Sequence, residues 1–175
     1  MKPASRRALR FHAIDGLPEV RLADHLLQLL IDAIAVHDEI EALADGDVLV
    51  IAQKIVSKAE NRFVELGTVE PGAEAVEIAA RCLKDPRLVE LVLRESSAVV
   101  RVAPHVLIVR HRLGFVVANA AIDQSNVPGG DERVLLLPAD PDASARVLVD
   151  RARSRFGRTI AVLIGWRLGP DAAIA

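Results

Sequence analysis

Short apolar runs separated by turn residues constrain the fold of this chain more than any other feature. The longest runs, such as Val134–Pro138 and Ile160–Gly165, fall far below the roughly 18 to 20 apolar residues of a membrane-spanning helix. The 175 residues are 51% hydrophobic with a mean hydropathy of +0.29, which is enough for one sizeable core. Because no repeat, low-complexity segment or linker interrupts the pattern, we expect a single domain over residues 1–175.

Charge and composition exclude several classes of function. Lys and Arg number 22 against 24 Asp and Glu, so no bulk attraction to nucleic acid or anionic membrane is expected. Aromatic residues make up 3%, which disfavours stacking surfaces for single-stranded nucleic acid. The single cysteine, Cys82, excludes an internal disulfide, and no apolar signal core follows the basic N-terminus. We therefore expect a cytoplasmic protein with neither nucleic-acid nor membrane partners.

Strand and helix patterns are mixed along the chain without strict alternation. Helical spacing or composition predicts helices at residues 22–35, 73–83 and 141–156, and Asp85–Pro86 and Asp140–Pro141 are typical helix starts. We expect Ala145, Val147, Leu148 and Ala152 on the core face of the last helix. Apolar runs predict strands at 10–14, 48–52, 99–102, 106–109, 114–117, 134–137 and 158–164, of which 48–52 has the pattern of a fully buried strand. The order favours an α+β or mixed α/β fold over a doubly wound parallel sheet.

Common catalytic motifs are missing from the sequence. It has no glycine-rich phosphate loop, no HExxH, no CxxC and no GxSxG. The five histidines lack metal-ligand spacing, and we expect surface or partly buried side chains. Cys82 lies among small apolar residues, which favours a buried apolar role over that of a nucleophile.

Three polar clusters next to apolar strands are candidate sites. Leu17–Val20 forms a turn whose backbone amides could meet a ligand, although a plain connection fits equally well. Gln53–Glu60 carries two lysines suited to phosphate charge, with a solvated strand end as the alternative. Residues 118–130 offer a carboxylate, a hydroxyl and several amides, which are hard ligands for Mg²⁺ or Mn²⁺ or, alternatively, a structural Asx-rich turn.

The order of longer motifs resembles that of one known family. LPEV is followed by DGDVLVIAQKIVSKAE, KDPRLVELVLRES, GFVVANAAIDQSNV and VLLLPADPDASA, from about Leu17 to Ile164. This order is similar to that of the coenzyme F420-0:L-glutamate ligases. The resemblance implies an α+β fold, an intertwined homodimer and GTP-dependent addition of L-glutamate to F420-0 through an acyl phosphate. It also implies Mg²⁺ or Mn²⁺ as cofactor, with K⁺ as a candidate additional ion.

The resemblance assigns roles to individual residues through the matched motifs. Those that would contact GTP are Leu17, Pro18, Glu19, Val20, Gln53, Lys58 and Asn126. Lys58 would also act on the transferring phosphate, and Asp123 would serve as both a metal ligand and a catalytic residue. Glu60, Glu95 and Ser96 fall in matching segments without an assigned role.

The sequence departs from the family pattern after its last predicted strand. The family has an Asp followed by Ser or Thr and then Phe-Gly-Arg-Pro before Trp-Arg, and its Asp and hydroxyl supply further metal ligands. Here Ile164 is followed directly by Gly165-Trp166-Arg167. The expectation is a ligase-like domain that lacks the C-terminal part of the family. A truncated, catalytically silent homologue that binds a nucleotide or is only structural remains the alternative, and a separate chain supplying the rest is a third.

Overall fold

The computed structural model describes residues 9–14, 17–18, 20, 26–35, 43–124 and 132–165. In these ranges the helices are α1 (Leu26–Ala35), α2 (Gln53–Ala59), α3 (Ala73–Cys82), α4 (Pro86–Arg94) and α5 (Pro141–Phe156). The strands are β1 (Val48–Ala52), β2 (Phe63–Glu65), β3 (Ser96–Ala103), β4 (Val106–His111), β5 (Val116–Ala118), β6 (Arg133–Leu135) and β7 (Ala161–Gly165). Short 3₁₀ turns cover Leu66–Thr68 and Asn119–Ala121.

The strands form small sheets of both kinds. β1 pairs in parallel with β7, β2 pairs antiparallel with β6, and β3, β4 and β5 form an antiparallel meander. Helices pack against these sheets, with α5 against β7 and both α3 and α4 against β3. The mixed α+β architecture expected from the sequence is confirmed.

Two helices begin as their Asp-Pro pairs predict. The Asp85 carboxylate accepts a hydrogen bond from Arg87 N at 2.8 Å, and that of Asp140 accepts from Ala143 N at 2.9 Å. Each carboxylate satisfies one backbone N–H group of the first turn. The proline that follows the acid has no N–H group, so it leaves no donor unsatisfied at that position. The hydrogen bonds from Arg87 hold the pKa of Asp85 below its usual value, so this cap stays charged.

One core joins the N-terminal part of the described chain to α5. Leu30 of α1, Leu49 and Ile51 of β1, and Leu148 of α5 are buried in it. Val48, Val50 and Leu163 point to the other face of the β1–β7 pair and are exposed. The expectation that β1 is buried on both faces is therefore wrong, since its side chains alternate between core and surface.

A second core lies under the β3–β4–β5 sheet. Cys82 of α3 is fully buried there beside side chains of α4 and β4, as expected for a small apolar residue. A smaller cluster around Leu66 connects α4 to β6. Strands β1 and β6 therefore pack in different clusters of the core.

The structure corrects several other predictions. Residues 10–14 form no strand, because Phe11 is exposed and only Ile14 reaches the core. Residues 53–59 are a helix rather than a strand end, because Ile55, Val56 and Ala59 reach the core at helical spacing.

Smaller differences concern boundaries and burial. The last strand begins only at Ala161, and Val147 of α5 is exposed. His111 is fully buried, whereas a surface or partly buried side chain was expected. Of the predicted helix 22–35, residues 26–35 are described and helical. No helix in the described ranges has both the length and the apolar character needed to cross a bilayer.

Candidate functional site

Helix α2 begins immediately where strand β1 ends, so its polar side chains start at the end of a parallel strand. Gln53 and Ser57 lie one turn apart and are buried, and Ser57 Oγ donates a hydrogen bond to Gln53 Oε1 at 2.8 Å. This bond satisfies two buried polar groups and fixes the orientation of the Gln53 amide. Lys58, in the last turn of α2, is half-buried.

Two backbone hydrogen bonds hold Asp123 against strand β6. Its N–H donates to Leu135 O at 3.0 Å, and Leu135 N donates to Asp123 O at 2.8 Å, which forms an isolated bridge to β6. Before it, Asn119, Ala120 and Ala121 all have positive φ, between 49° and 56°. Non-glycine residues adopt this left-handed conformation at a cost of about 1–2 kcal/mol each. The tight turn therefore fixes where the following carboxylate lies.

An ion pair brings these two segments together. Lys54 Nζ lies 2.6 Å from Asp123 Oδ2, and the two side chains are 31% and 18% exposed. Lys54 and Lys58 are four residues apart and therefore share one face of α2. The structure thus places a two-lysine helix face beside the carboxylate that the sequence predicts as a metal ligand.

Leu17 and Val20 of the LPEV motif belong to the same core as α2. Val20 is buried in the core that contains Val56 of α2, and Leu17 packs against that core. Pro18 is exposed. The side chains of Leu17 and Val20 therefore anchor the segment, and any ligand contact from them would come through the backbone. Glu19 and Asn126, predicted to contact nucleotide, lie outside the described residues.

A second polar cluster centres on Glu95, whose side chain is 13% exposed. Arg62 Nη2 donates to its Oε1 at 3.2 Å, and Arg112 Nε donates to its Oε2 at 3.0 Å. Arg62 Nε also donates to Leu137 O at 2.7 Å, and Arg62 O accepts from Leu136 N. Glu95 thereby braces the chain just after α2 against the strand segment that carries the Asp123 bridge.

Buried His111 borders this cluster. Leu113 N donates to its Nδ1 at 3.1 Å, so a neutral ring carries its proton on Nε2, which lies 3.6 Å from Glu95 Oε2. The ring stacks on Phe115 with centroids 5.0 Å apart. Burial lowers the pKa of His111, and the charge of Glu95 only partly opposes this effect.

The sequence places Lys54 in a candidate polar cluster and Glu95 in a matched segment, but it assigns neither residue a role. The spacing of Lys54 and Lys58 would have indicated a shared face had residues 53–59 been recognised as a helix. Glu95 is separated in the sequence from Arg62 by 33 residues and from Arg112 by 17, so no local pattern indicates either contact.

The residues present fit a divalent cation that is shared with a phosphate ligand. Asp123 offers one partly exposed carboxylate, and the described ranges contain no group of three or more His, Cys, Asp or Glu side chains that could hold a metal. Mg²⁺ is commonly bound by one or two carboxylates, with waters and substrate phosphates as the other ligands. Such a site needs no complete protein cage.

The fold and site define an α+β protein with lysines and a carboxylate gathered at the end of a parallel strand pair. A sequence model of the F420-0:gamma-glutamyl ligase family matches residues 16–174. The chain belongs to this family.

Relatives in archaea support the same assignment. The coenzyme F420:L-glutamate ligase of Methanothermobacter thermautotrophicus is 43% identical over 151 residues, which is 86% of this chain and 58% of the relative. Those of Methanopyrus kandleri and Natronomonas pharaonis are each 42% identical over 156 residues. These matches cover 89% and 86% of this chain but 58% and 56% of the two relatives. The chain thus spans less than two thirds of the length of these relatives.

Proposed function

We propose that this chain carries the nucleotide- and cation-binding part of a ligase that adds L-glutamate to coenzyme F420-0. The observation that carries the proposal is the Lys54–Asp123 contact, which joins the AQKIVSK helix to the IDQSN segment. Family membership and relatives named coenzyme F420:L-glutamate ligase supply the substrate class. A glutamate-adding ligase acting on F420 is the activity that these observations support best.

The proposed reaction has two steps. The terminal phosphoryl group of GTP passes to the carboxylate of F420-0, which yields an acyl phosphate and GDP. The amino group of L-glutamate then attacks the acyl carbon, inorganic phosphate leaves, and the nitrogen loses a proton to give an amide. Further glutamates would be added through γ-linkages by the same steps.

In this proposal each site residue has a role that fits its position. Lys58 balances negative charge on the transferring phosphoryl group, because an ammonium on a half-buried helix face is well placed for phosphate. Gln53 and the LPEV backbone contact the nucleotide beside α2, and Asp123 holds the divalent cation. When bound, that Mg²⁺ or Mn²⁺ would neutralise phosphate charge. Roles for Glu19, Asn126 and a K⁺ ion stay predictions, as does a cytoplasmic location.

We also propose that the chain forms a homodimer through β3. This strand is the edge of its sheet in the described part of the chain, and residues 97–101 are all exposed. Val100 is 53% exposed, and Val116 on β5 of the same sheet is 54% exposed. A long edge strand with exposed apolar side chains readily pairs with another chain.

Product formation tests the ligase proposal directly. The full chain would be incubated with GTP, Mn²⁺, L-glutamate and F420-0, and glutamylated product measured by mass spectrometry. We expect product with the wild type, and a loss of at least about 100-fold with Lys58→Met, since removing one preorganised charge contact commonly costs this much. Lys84→Met removes the same charge outside α2 and should keep full activity. Absence of product, where the Methanothermobacter relative makes it under the same conditions, would overturn the activity for this chain.

The alternative is a catalytically silent homologue that binds nucleotide. The replacement of the family's Asp-Ser/Thr stretch by Gly165 directly after Ile164 favours it. Its signature would be saturable GTP binding by calorimetry without any glutamylated product. Absence of both binding and product would leave only a structural homologue.

A further inference from the structure

Lys54 and Asp123 form a pair with one fixed and one movable partner. The Asp123 backbone is bonded to β6 on both its N–H and its C=O, and it follows the left-handed turn at Asn119–Ala121. Lys54 reaches the carboxylate at the end of a flexible four-carbon side chain. If the pair opens, it is the lysine that moves.

The Lys54 ammonium lies where a cation on Asp123 would have to approach. Its Nζ is 2.6 Å from Asp123 Oδ2, and a magnesium ion would lie about 2.1 Å from the same oxygen. Two positive ions so close together repel each other strongly at a partly buried position. The ammonium and a divalent cation therefore compete for this carboxylate oxygen.

We propose that Lys54 is the built-in counter-ion of Asp123 and is displaced when a divalent cation binds. In the metal-free protein the ammonium pairs with the carboxylate and holds its orientation. On cation binding it swings away from Oδ2, which its 31% exposed side chain permits. Lys54 is thus a positioning residue that lowers cation affinity and preserves the geometry of the site. This inference rests on the proposed function, which takes Asp123 as the cation ligand.

Titration with Mn²⁺ alone, followed by the electron paramagnetic resonance of the free ion, tests the competition. We expect Lys54→Met to bind Mn²⁺ about two- to fivefold more tightly than the wild-type full chain, the range that the loss of a partly exposed ion pair implies. Lys84→Met removes the same charge outside α2 and serves as the matched control, with unchanged affinity. Equal or weaker binding by Lys54→Met, or no saturable Mn²⁺ binding by either protein, would overturn the proposal.

The Asp123→Asn variant separates this proposal from the proposed function. If Asp123→Asn abolishes Mn²⁺ binding while Lys54→Met leaves the affinity unchanged, the cation site is supported and the role of Lys54 is refuted. If Asp123→Asn leaves Mn²⁺ binding intact, both the cation site at Asp123 and the role of Lys54 are refuted.

A double-mutant cycle checks the pair without any metal. Urea unfolding of the wild type, both single variants and the double variant would be measured in EDTA. The proposal requires that the destabilisation of the double variant be smaller than the sum of the two single effects. Additive effects would overturn it.

Discussion

At the scale of single residues, Glu95 is the side chain that ties the site to the rest of the fold. It accepts from Arg62 and Arg112, and Arg62 in turn holds the backbone at Leu137. The carboxylate is 13% exposed, so its removal leaves two arginines without their shared partner in a shielded place. Such a network should matter more for stability than ion pairs on the open surface.

We expect Glu95→Gln to lower the free energy of unfolding by about 1–3 kcal/mol, because the charge-assisted bonds are lost while both arginines remain. Chemical denaturation measures this change. Glu77→Gln is the matched control, since Glu77 and Arg81 form an exposed pair 3.9 Å apart, and little change is expected there. Equal effects of the two substitutions would contradict a bracing role for Glu95.

His111 should make stability depend on pH. Burial lowers its pKa in the fold, whereas an unfolded histidine titrates near about 6.5. The unfolded chain then binds more protons, so the free energy of unfolding should fall as the pH drops through about 6.5 and level off below the folded pKa.

Denaturation curves between pH 8 and 5 give the measurement. His111→Gln should flatten this pH dependence, whereas His105→Asn, in the exposed turn between β3 and β4, should retain it. An unchanged slope in His111→Gln would show that another group carries the effect.

Among the elements, α3 and α5 both end at a residue in the left-handed backbone conformation, but this residue is leucine in α3 and glycine in α5. Leu83 caps α3 at φ 54° with an exposed side chain, and Gly157 caps α5 at φ 65°. A left-handed cap suits glycine, because other residues pay about 1–2 kcal/mol for it.

Leu83→Gly should therefore stabilise the protein by about 0.5–1 kcal/mol after the entropy cost of glycine is subtracted. Gly157→Ala should destabilise it by about 1 kcal/mol, since nothing lies within 4 Å of an added Cβ and only backbone strain remains. Thermal unfolding of both variants measures these two changes in stability. A destabilised Leu83→Gly variant would mean that the leucine side chain contributes packing despite its exposure.

Local chemistry explains which elements could be predicted. The Asp-Pro pairs at 85–86 and 140–141 predict the starts of α4 and α5, because cap and proline act within one turn. The sequence pattern does not predict helix α2, since its apolar residues directly continue those of β1. The proposed roles of Lys58 and Asp123 came from motif order, while the Lys54–Asp123 contact depends on a separation of 69 residues that no short pattern encodes.

For the whole molecule, the exposed apolar residues of β3 and β5 are the observation behind the proposed homodimer. The β3 edge is the proposed dimer contact. Light scattering coupled to size exclusion should give twice the 18.9 kDa chain mass for the wild type. Val100→Lys should give a monomer, because a charged residue on an edge strand opposes pairing.

A matched variant isolates the role of β3. Val76→Lys places the same charge on the exposed face of α3, where Val76 is 50% exposed, and should leave the dimer intact. A monomeric wild type would contradict the dimer, and a dimeric Val100→Lys would contradict β3 as its interface.

We propose above all that this chain holds a nucleotide and a divalent cation through α2 and Asp123. Calorimetric titration of the full chain with GTP in the presence of Mn²⁺, without F420-0 or glutamate, tests it most directly. We expect saturable binding by the wild type and affinity at least about tenfold weaker for Asp123→Asn, a difference of about 1.4 kcal/mol. Absence of saturable binding, or equal affinity in the variant, would contradict it.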